Sequence, residues 1–333
     1  MDLEQIADRA FAPSRAAVAE GRIPGAALGL LTRDGRAVRV AGSAQLVPVP
    51  REMTRETWFD LASLTKVLFT TPAILALAEQ GRIGLDDPLV SVIPDLRQYD
   101  MAAAERRLTF RQCLGHQTHL PAVEPIYTYG ADPSTLRAFV LQREWRAGPP
   151  VYSDINFLLL GIALERVLGI GILDMPVPAG LTFRPDPARA AATERCAWRG
   201  RVMVGEVHDE NAYAFQGAGH AGLFGTVDGV LDATRELLSA ERAPLTRTRV
   251  AGHRAHGWEL AHPGWSGGDL CPPTTVGHTG FTGTGLWIDV DHGVAWTLLT
   301  NRVHPSRHAD NGIIRLRAAT GNAVVEGVGF EPT

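Results

Sequence analysis

The sequence is almost devoid of lysine: of its 32 lysine and arginine residues, 31 are arginine and only Lys66 is a lysine. A surface cation works equally well as lysine or arginine, so base composition accounts for the arginines. A guanidinium stays protonated in a protein, whereas a buried ammonium shifts its pKa readily and can act as a base. Position 66 therefore has a chemical reason to differ, and Lys66 is the first candidate for a catalytic role.

Cysteine is also scarce. The three cysteines, Cys113, Cys196 and Cys271, are an odd number, lie far apart and show no CxxC spacing. This pattern excludes a disulfide framework and a zinc knuckle, and it fits a reducing compartment best. Histidines occur, but without an HExxH pattern or a carboxylate-flanked set. We therefore expect no metal ion and no other cofactor.

The chain lacks blocks of charge and long apolar runs. Its formal net charge is −4, which gives no electrostatic reason to expect nucleic acid or an anionic membrane as a partner. The longest apolar stretches, 67–78 and 157–164, fall short of the roughly 18 to 20 residues that span a bilayer. The N-terminal residues are partly acidic and show no cleavage site. We expect no signal peptide and a cytoplasmic location, although a true start upstream of Met1 would permit export.

The two ends of the chain carry the clearest secondary-structure patterns. Apolar residues at helical spacing predict a helix over residues 2–20. The dipeptide Asp34-Gly35 joins two apolar runs, 26–32 and 36–42, which predicts a β-hairpin. Near the other end, a second hairpin is predicted over 285–301, followed by a closing helix over 311–319. Both ends therefore form the same kind of unit.

The middle of the chain reads differently, because it is mostly helical between Pro/Gly-rich loops. The predicted helices are 64–80, 108–114, 134–143, 155–168 and 227–240. We infer an α+β fold with a helical half inserted into an antiparallel α/β half. The α/β half comprises residues 1–60 and 200–321, the mainly helical half residues 61–199, and a frayed tail residues 322–333.

Ser63 lies three residues before Lys66, where a short extended segment meets an apolar helix. Residues i and i+3 share a helix face, so the hydroxyl and the amine come within reach of each other. A helix N-terminus also favours developing negative charge. This combination is typical of an activated serine nucleophile. The alternative is that Ser63 only caps the helix and Lys66 is a solvated residue of its first turn.

Three motifs in order resemble the serine β-lactamase and penicillin-binding protein superfamily, which is built on S-x-x-K, a Tyr or Ser motif, and K-T-G or a relative. They are SLTK at 63–66, YSD at 152–154 and HTG at 278–280. Longer phrases at 79–89, 114–118 and 219–224 resemble its class C β-lactamase, carboxypeptidase and carboxylesterase branch. The similarity covers roughly residues 20 to 302. It implies a β-lactamase/transpeptidase-like fold, with an antiparallel sheet flanked by helices and the active site between the two halves.

The resemblance also implies a mechanism. Ser63 attacks an acyl carbonyl, while Lys66 and Tyr152 share the removal and return of its proton. The backbone N–H groups of Ser63 and Phe281 form the oxyanion hole. Tyrosine has an unperturbed pKa near 10, so its action as a base requires neighbouring cations. Lys66 and a protonated His278 would supply them. Without the other motifs, Tyr152 would read as a packed loop residue.

Two departures from the family pattern concern the substrate. Asp154 replaces the usual asparagine, and an ionised carboxylate accepts hydrogen bonds but donates none. His278 replaces the usual lysine and is largely neutral at pH 7 unless its pKa is raised. Both changes disfavour anionic substrates such as β-lactams and D-alanyl peptides, so we expect neutral esters or amides. Asn156 is two residues further into a helix, so we expect it to point away from the site.

Further candidates for substrate binding follow from position in the motifs. Thr279 and Gly280 belong to the third motif, and His116 to one of the longer phrases. His220 is expected either to line the cleft or to act as a structural hydrogen-bonding residue. A competing motif, GWSGG at 264–268, matches the nucleophile elbow of α/β-hydrolases. It lacks the required preceding strand and following helix, so we expect a surface loop there.

We therefore predict a serine hydrolase that forms an acyl-enzyme at Ser63 and acts on a small ester, amide or peptide-like substrate. One alternative is a D-alanyl-D-alanine carboxypeptidase or a weak class C β-lactamase. Another is a binding or sensor protein that is acylated without turnover.

Overall fold

A long antiparallel sheet organises the fold in the computed structural model, which describes residues 1–238 and 247–329. The strands are β1 (Gly25–Thr32), β2 (Arg36–Gln45), β3 (Arg51–Glu52), β4 (Phe59–Asp60), β5 (Leu181–Thr182), β6 (Ala192–Cys196), β7 (Arg201–Val204), β8 (Phe224–Gly225), β9 (Arg249–Ala251), β10 (Arg254–Ala255), β11 (Glu259–Leu260), β12 (Val276–Thr279), β13 (Gly285–Asp289) and β14 (Val294–Thr300). Within the described residues, nine of them form this sheet in the order β3-β2-β1-β14-β13-β12-β11-β10-β9.

The helices surround this sheet. They are α1 (Leu3–Ala19), α2 (Thr71–Glu79), α3 (Phe110–Leu114), α4 (Pro133–Gln142), α5 (Asp154–Leu168), α6 (Glu210–Phe215), α7 (Val227–Leu237) and α8 (Ile313–Val328). Within the described residues, no helix combines the length and the apolar character that crossing a membrane requires.

The two predicted hairpins are confirmed and lie side by side at the centre of the sheet. β1 pairs with β2 through the Asp34-Gly35 turn, with Leu31 opposite Arg36. β13 pairs with β14, and β14 also pairs with β1, so the two ends of the chain meet in neighbouring strands. The predicted α+β fold with an antiparallel sheet is therefore correct.

Each face of the sheet has its own core. α1 and α8 cover one face, where the indoles of Trp287 and Trp296 stack at 6.0 Å. The other face packs against α7 and the helical part of the chain, including α2 and α5. Burial of both faces explains why the central strands read as continuous apolar runs rather than as alternating ones.

The predicted helix over 64–80 begins with a wide turn. Residues Lys66–Thr70 form a π-helical turn, and the N–H of Thr71 donates to the carbonyl of Lys66. Pro72 follows, and its ring would clash with the carbonyl four residues earlier in a regular α-helix. The wider turn relieves that clash, and α2 then continues normally.

The predicted frayed tail is wrong for residues 322–328, because α8 continues to Val328 with Val324 and Val325 buried against α1. Gly321 suggested a helix end, yet it marks a close approach: a Cβ there would lie 1.8 Å from the carbonyl oxygen of Gly267. Residues 330–333 of the tail, like residues 239–240 of the helix predicted over 227–240, lie outside the described residues.

The division into two halves stays a prediction. The boundary that we place at 199/200 falls within the hairpin of β6 and β7. α7, from the second segment of the α/β half, packs on β1 and β14 and shares a core with the helical half. The two halves are therefore in close contact.

Candidate active site

A strained turn presents Ser63. The buried carboxylate of Asp60 accepts hydrogen bonds from the N–H of Ala62 at 2.8 Å and from the N–H of His208 at 2.6 Å. Ala62 has a φ of 47°, a left-handed conformation that a side chain rarely adopts. Such strain persists only where the surroundings enforce it, and it is common at functional sites. The hydrogen bonds to Asp60 therefore hold the turn in the conformation that places Ser63 at the start of the helix.

Lys66 lies beside this serine and is completely buried. Its Nζ donates to Ser63 Oγ at 2.8 Å and to the carbonyl of His220 at 3.1 Å, and it lies 2.8 Å from Asp154 Oδ1. Burial lowers the pKa of the ammonium, but the Asp154 carboxylate and Tyr152 outweigh this effect and raise it above its usual value. The alternative of a solvated first-turn lysine is wrong.

Tyr152 completes the constellation around the amine. Lys66 Nζ lies 5.1 Å from the centre of its ring, and the rings of His116 and His278 flank it at 4.5 Å and 5.7 Å. Burial of the hydroxyl raises the pKa of Tyr152; Lys66 opposes this shift and Asp154 adds to it. The resting side chain is therefore a neutral phenol that can donate a proton.

His278 lies at the end of β12 and is buried. Burial, helped by the nearby cations Lys66 and Arg254, lowers the pKa of His278 to about 3, so the ring is neutral at physiological pH. The neutral form expected for His278 unless its pKa is raised is therefore the resting form, and it supplies no cation to Tyr152. Its Nδ1 lies 2.9 Å from the carbonyl oxygen of Thr279, which can only accept, so Nδ1 carries the proton and Nε2 is an acceptor. No described residue donates a hydrogen bond to His278 Nε2.

The segment 280–284 is hydrogen-bonded to the turn that carries Ser63. The hydroxyl of Thr282 donates to the carbonyl of Asp60 at 2.7 Å, and that of Thr284 donates to the carbonyl of Leu61 at 3.0 Å. Gly280 permits this approach, because a Cβ there would lie 2.5 Å from the carbonyl oxygen of Leu61. These contacts hold the two N–H groups implied as the oxyanion hole in fixed relation.

Two arginines hold the carbonyls next to Phe281. Arg317 donates to the carbonyls of Gly280 and Thr284, both at 2.7 Å. Arg302 donates to the carbonyl of Phe281 at 2.6 Å, and its guanidinium lies 4.8 Å from the centre of the exposed phenyl ring. The backbone around Phe281 is thus fixed on both sides.

These groups line a cleft of about 560 Å³. Seven of the predicted residues line it: Ser63, Tyr152, Asp154, His278, Thr279, Gly280 and Phe281. The sequence prediction missed three arginines, Arg254, Arg302 and Arg317, and the acidic Glu259. With 31 arginines in the chain, nothing in the sequence distinguishes these three.

His116 and His220 are not among the residues that line the cleft. His116 is buried behind Tyr152, and its Nδ1 accepts from the N–H of Ser153 at 3.0 Å. The buried ring of His220 pairs with Asp209 at 2.8 Å, while its carbonyl contacts Lys66. Substrate binding by His116 is therefore not supported, and for His220 these contacts favour the alternative of a structural hydrogen-bonding residue.

Asn156 points away from the cleft as expected. Its Oδ1 accepts from the hydroxyl of Thr118 at 2.7 Å, and the side chain is fully buried. The side-chain amide that the motif usually offers to a substrate is thus not supplied from this position.

The competing serine, Ser266, lies in turns between β11 and β12. Its hydroxyl accepts from Trp287 Nε1 at 3.2 Å, and Trp287 belongs to the core under α1 and α8. The loop prediction is confirmed, although Trp265 within it is buried. Among the residues described, no group of three His, Cys, Asp or Glu side chains is arranged to hold a metal ion.

The fold and the constellation around Ser63 define a serine hydrolase with a buried lysine beside the candidate nucleophile. The chain belongs to the Beta-lactamase family, whose model matches residues 8–319. It is 28% identical to an N-acetylmuramyl-L-alanine amidase of Bacillus subtilis (strain 168), over 84% of this chain and 78% of that protein. It is 30% identical to a putative D-alanyl-D-alanine carboxypeptidase of Escherichia coli (strain K12), over 81% and 74%.

Solved structures support the fold. A class C β-lactamase in complex with cefoxitin superposes with a TM-score of 0.76 at 14% identity, covering 98% of this chain and all of that one. EstCE1, a hydrolase with promiscuous acyltransferase activity, superposes with a TM-score of 0.73 at 20% identity, covering 96% and 98%. The predicted β-lactamase-like fold is confirmed.

Proposed function

We propose that Ser63 is the nucleophile of an acyl transfer from an ester or amide to water. The observation that carries the proposal is the 2.8 Å contact between Lys66 Nζ and Ser63 Oγ at the base of a cleft. A serine is a weak nucleophile until a neighbouring group takes its proton. Lys66 is an ammonium at rest, so it takes that proton as it gives one of its own to a neighbouring base, and its burial keeps solvent from competing.

The remaining groups complete the reaction. Ser63 Oγ attacks the acyl carbonyl while its proton passes to the Lys66 side. The N–H groups of Ser63 and Phe281 stabilise the oxyanion, and fixed donors of this kind contribute most when they are held before the reaction begins. Tyr152, a neutral phenol, returns a proton to the leaving oxygen or nitrogen. A water molecule then attacks the acyl group on Ser63 by the same steps in reverse, and the carboxylic acid is released.

A neutral ester or amide is the favoured substrate class. His278 presents an acceptor where the family pattern has a cation, and Asp154 presents a carboxylate beside it in the same cleft. A substrate with an N–H or O–H group near its acyl carbon would satisfy both acceptors. A carboxylate at that position would meet the Asp154 charge instead.

A peptide-like substrate with a carboxylate is the second candidate, and Arg254 favours it. Its guanidinium lies 5.5 Å from the centre of the Tyr152 ring. Its Nη2 lies 3.6 Å from Glu259 Oε1, a long ion pair, so the guanidinium is loosely held. Arg302 and Arg317, in contrast, are committed to backbone carbonyls. The relatives named as an amidase and a carboxypeptidase add weight to this class.

A labelling experiment tests the nucleophile. A fluorophosphonate probe followed by peptide mass spectrometry is expected to modify Ser63 in the wild-type protein. A Ser63→Ala variant should lose both the label and esterase activity, while Ser266→Ala should keep both. Labelling at Ser266 would refute the mechanism.

A substrate panel then separates the candidates. Hydrolysis of p-nitrophenyl esters well above that of nitrocefin and D-alanyl dipeptides supports the neutral-ester assignment. Preference for the dipeptides, lost in Arg254→Gln, would establish the second candidate. An acyl burst without turnover on every compound would show a binding or sensor protein instead.

A further inference from the structure

Asp154 is in direct contact with the catalytic lysine. It is the first residue of α5, and its Oδ1 lies 2.8 Å from Lys66 Nζ. Lys66 is fully buried, whereas the Asp154 side chain keeps 19% of its exposure and lines the cleft. No other described residue hydrogen-bonds Oδ1. A buried ammonium and a cleft carboxylate thus form one unit beside Ser63.

The Lys66–Asp154 pair has no net charge, so it does not supply the cation that a Tyr152 phenolate would need in order to act as a base. An unpaired lysine would favour the phenolate of Tyr152, but the Asp154 carboxylate cancels its charge and itself raises the pKa of Tyr152. His278 is neutral and adds no compensating charge. Arg254, 5.5 Å from the ring centre, is the remaining nearby cation, and Glu259 lies opposite it. Tyr152 is therefore poorly suited to remove the Ser63 proton in this chain.

Lys66 alone does not solve the problem, because as an ammonium it has no lone pair. Its Nζ contacts Ser63 Oγ, the His220 carbonyl and Asp154 Oδ1, and it is also hydrogen-bonded to Tyr152. Tyr152 is a neutral phenol, so among these groups only the carboxylate is a base. A carbonyl oxygen does not hold a proton near neutral pH, and the serine is the proton donor in the reaction.

We propose that Asp154 is the terminal acceptor of the Ser63 proton and that Lys66 relays it. The proposal rests on Ser63 being the nucleophile. One Nζ–H bond of Lys66 first breaks, and its proton forms an O–H bond on Asp154 Oδ1, which leaves a neutral amine with a free electron pair. As Ser63 Oγ bonds to the acyl carbon, its O–H bond breaks and the proton forms a new N–H bond on that electron pair of Lys66 Nζ. Lys66 is an ammonium before and after the step, and the negative charge of Asp154 moves to the oxyanion.

The return path uses the same atoms. When the tetrahedral intermediate collapses, the Tyr152 O–H bond breaks and its proton bonds to the leaving oxygen or nitrogen. Asp154 then gives its proton to Lys66 Nζ, and Lys66 passes one of its own to the Tyr152 oxygen, with which it is hydrogen-bonded. The unit then holds the same protons as before acylation. Asp209 and its partner His220 lie behind Lys66. The Asp209 carboxylate already pairs with the His220 imidazole and accepts a hydrogen bond from the N–H of Ala212.

Acylation kinetics of Asp154→Asn test the relay, because asparagine matches the shape of aspartate but is not a base. We expect the pre-steady-state acylation rate with a p-nitrophenyl ester to fall at least about tenfold at pH 7. The wild-type rate should be flat through the neutral range. The variant rate should rise with pH, because Lys66 must now lose a proton to solvent before it can act. A wild-type rate and profile in Asp154→Asn would overturn the proposal.

Chemical rescue provides the second arm. Asp154→Ala leaves a space at the cleft wall, and we expect formate to accelerate its acylation several-fold, whereas formamide, of the same shape, should not. The melting temperature of each variant controls for folding. A folded Asp154→Ala variant that formate does not accelerate overturns the relay. Fluorophosphonate labelling of wild-type Ser63 is scored separately, so failure of the nucleophile assignment is distinguishable from failure of the relay.

Discussion

Arg317 Nη2 donates to the carbonyl oxygen of Gly280 at 2.7 Å, and that carbonyl shares one peptide group with the N–H of Phe281. The guanidinium therefore fixes the plane of the peptide that we propose as an oxyanion donor. A cation on the carbonyl end of an amide also polarises its N–H and strengthens it as a donor. Burial, together with the Arg302 charge, lowers the pKa of Arg317 to about 9, which still leaves it charged at pH 7. Among the described residues, no carboxylate pairs with it.

Replacing Arg317 should therefore affect the transition state more than substrate binding. For Arg317→Met we expect kcat for a neutral ester to fall roughly tenfold or more with little change in KM; deleting an oxyanion donor outright costs about 10² to 10³. Loss of two donors to buried carbonyls should also lower the free energy of unfolding by about 1 to 3 kcal/mol. Steady-state kinetics and urea unfolding measure both. A raised KM at constant kcat would show that Arg317 binds substrate instead.

Burial of His278 predicts sensitivity to acid. The unfolded chain protonates this histidine below pH 6.5, whereas the folded protein does so only near pH 3. As the pH falls through that window, the unfolded state binds the extra proton and the folded state loses stability, by up to about 1.4 kcal/mol per pH unit. His278→Gln removes this contribution, and glutamine can still donate to the Thr279 carbonyl. Urea unfolding at pH 7, 6 and 5 should show a smaller loss in the variant; parallel losses would contradict the prediction.

Much of the fold could be predicted from the sequence because local patterns and tertiary contacts agree there. The Asp34-Gly35 turn fixed one hairpin, and the apolar spacing of residues 2–20 fixed α1. The end of α8 could not be predicted, because Gly321 looks the same in a sequence whether it ends a helix or accommodates a neighbouring backbone. The short α6 was also missed: Asp209 caps it, but six residues carry too little periodicity to indicate a helix.

The site was predictable where the chemistry depends on spacing along the chain. Ser63 and Lys66 are three residues apart, and a helix brings them together by itself. Arg254 and Arg317 reach the cleft from β10 and α8, so only the tertiary fold reveals them. The Lys66–Asp154 contact likewise joins elements 88 residues apart in sequence. Substrate preferences inferred from the motifs alone therefore missed the arginines.

Ser266→Ala should leave catalysis intact. Ser266 Oγ accepts from Trp287 in the core under α1 and α8, outside the residues that line the cleft. We expect kcat/KM within about twofold of wild type and a loss of roughly 1 kcal/mol in the free energy of unfolding, the usual worth of one hydrogen bond. Ester hydrolysis and urea unfolding test this, with Ser63→Ala as the inactive control. Inactivation of a folded Ser266→Ala protein would require a different nucleophile.

The lone lysine allows the sharpest test of the site. Lys66→Arg keeps the charge, but a guanidinium stays protonated and its planar fork does not fit a position where one ammonium contacts Ser63, Asp154 and the His220 carbonyl. We expect acylation to fall at least roughly a hundredfold, as for removal of a group that transfers protons. Pre-steady-state acylation with a p-nitrophenyl ester measures the loss, and the melting temperature of the variant controls for folding. A folded Lys66→Arg variant with wild-type acylation would remove Lys66 from the mechanism.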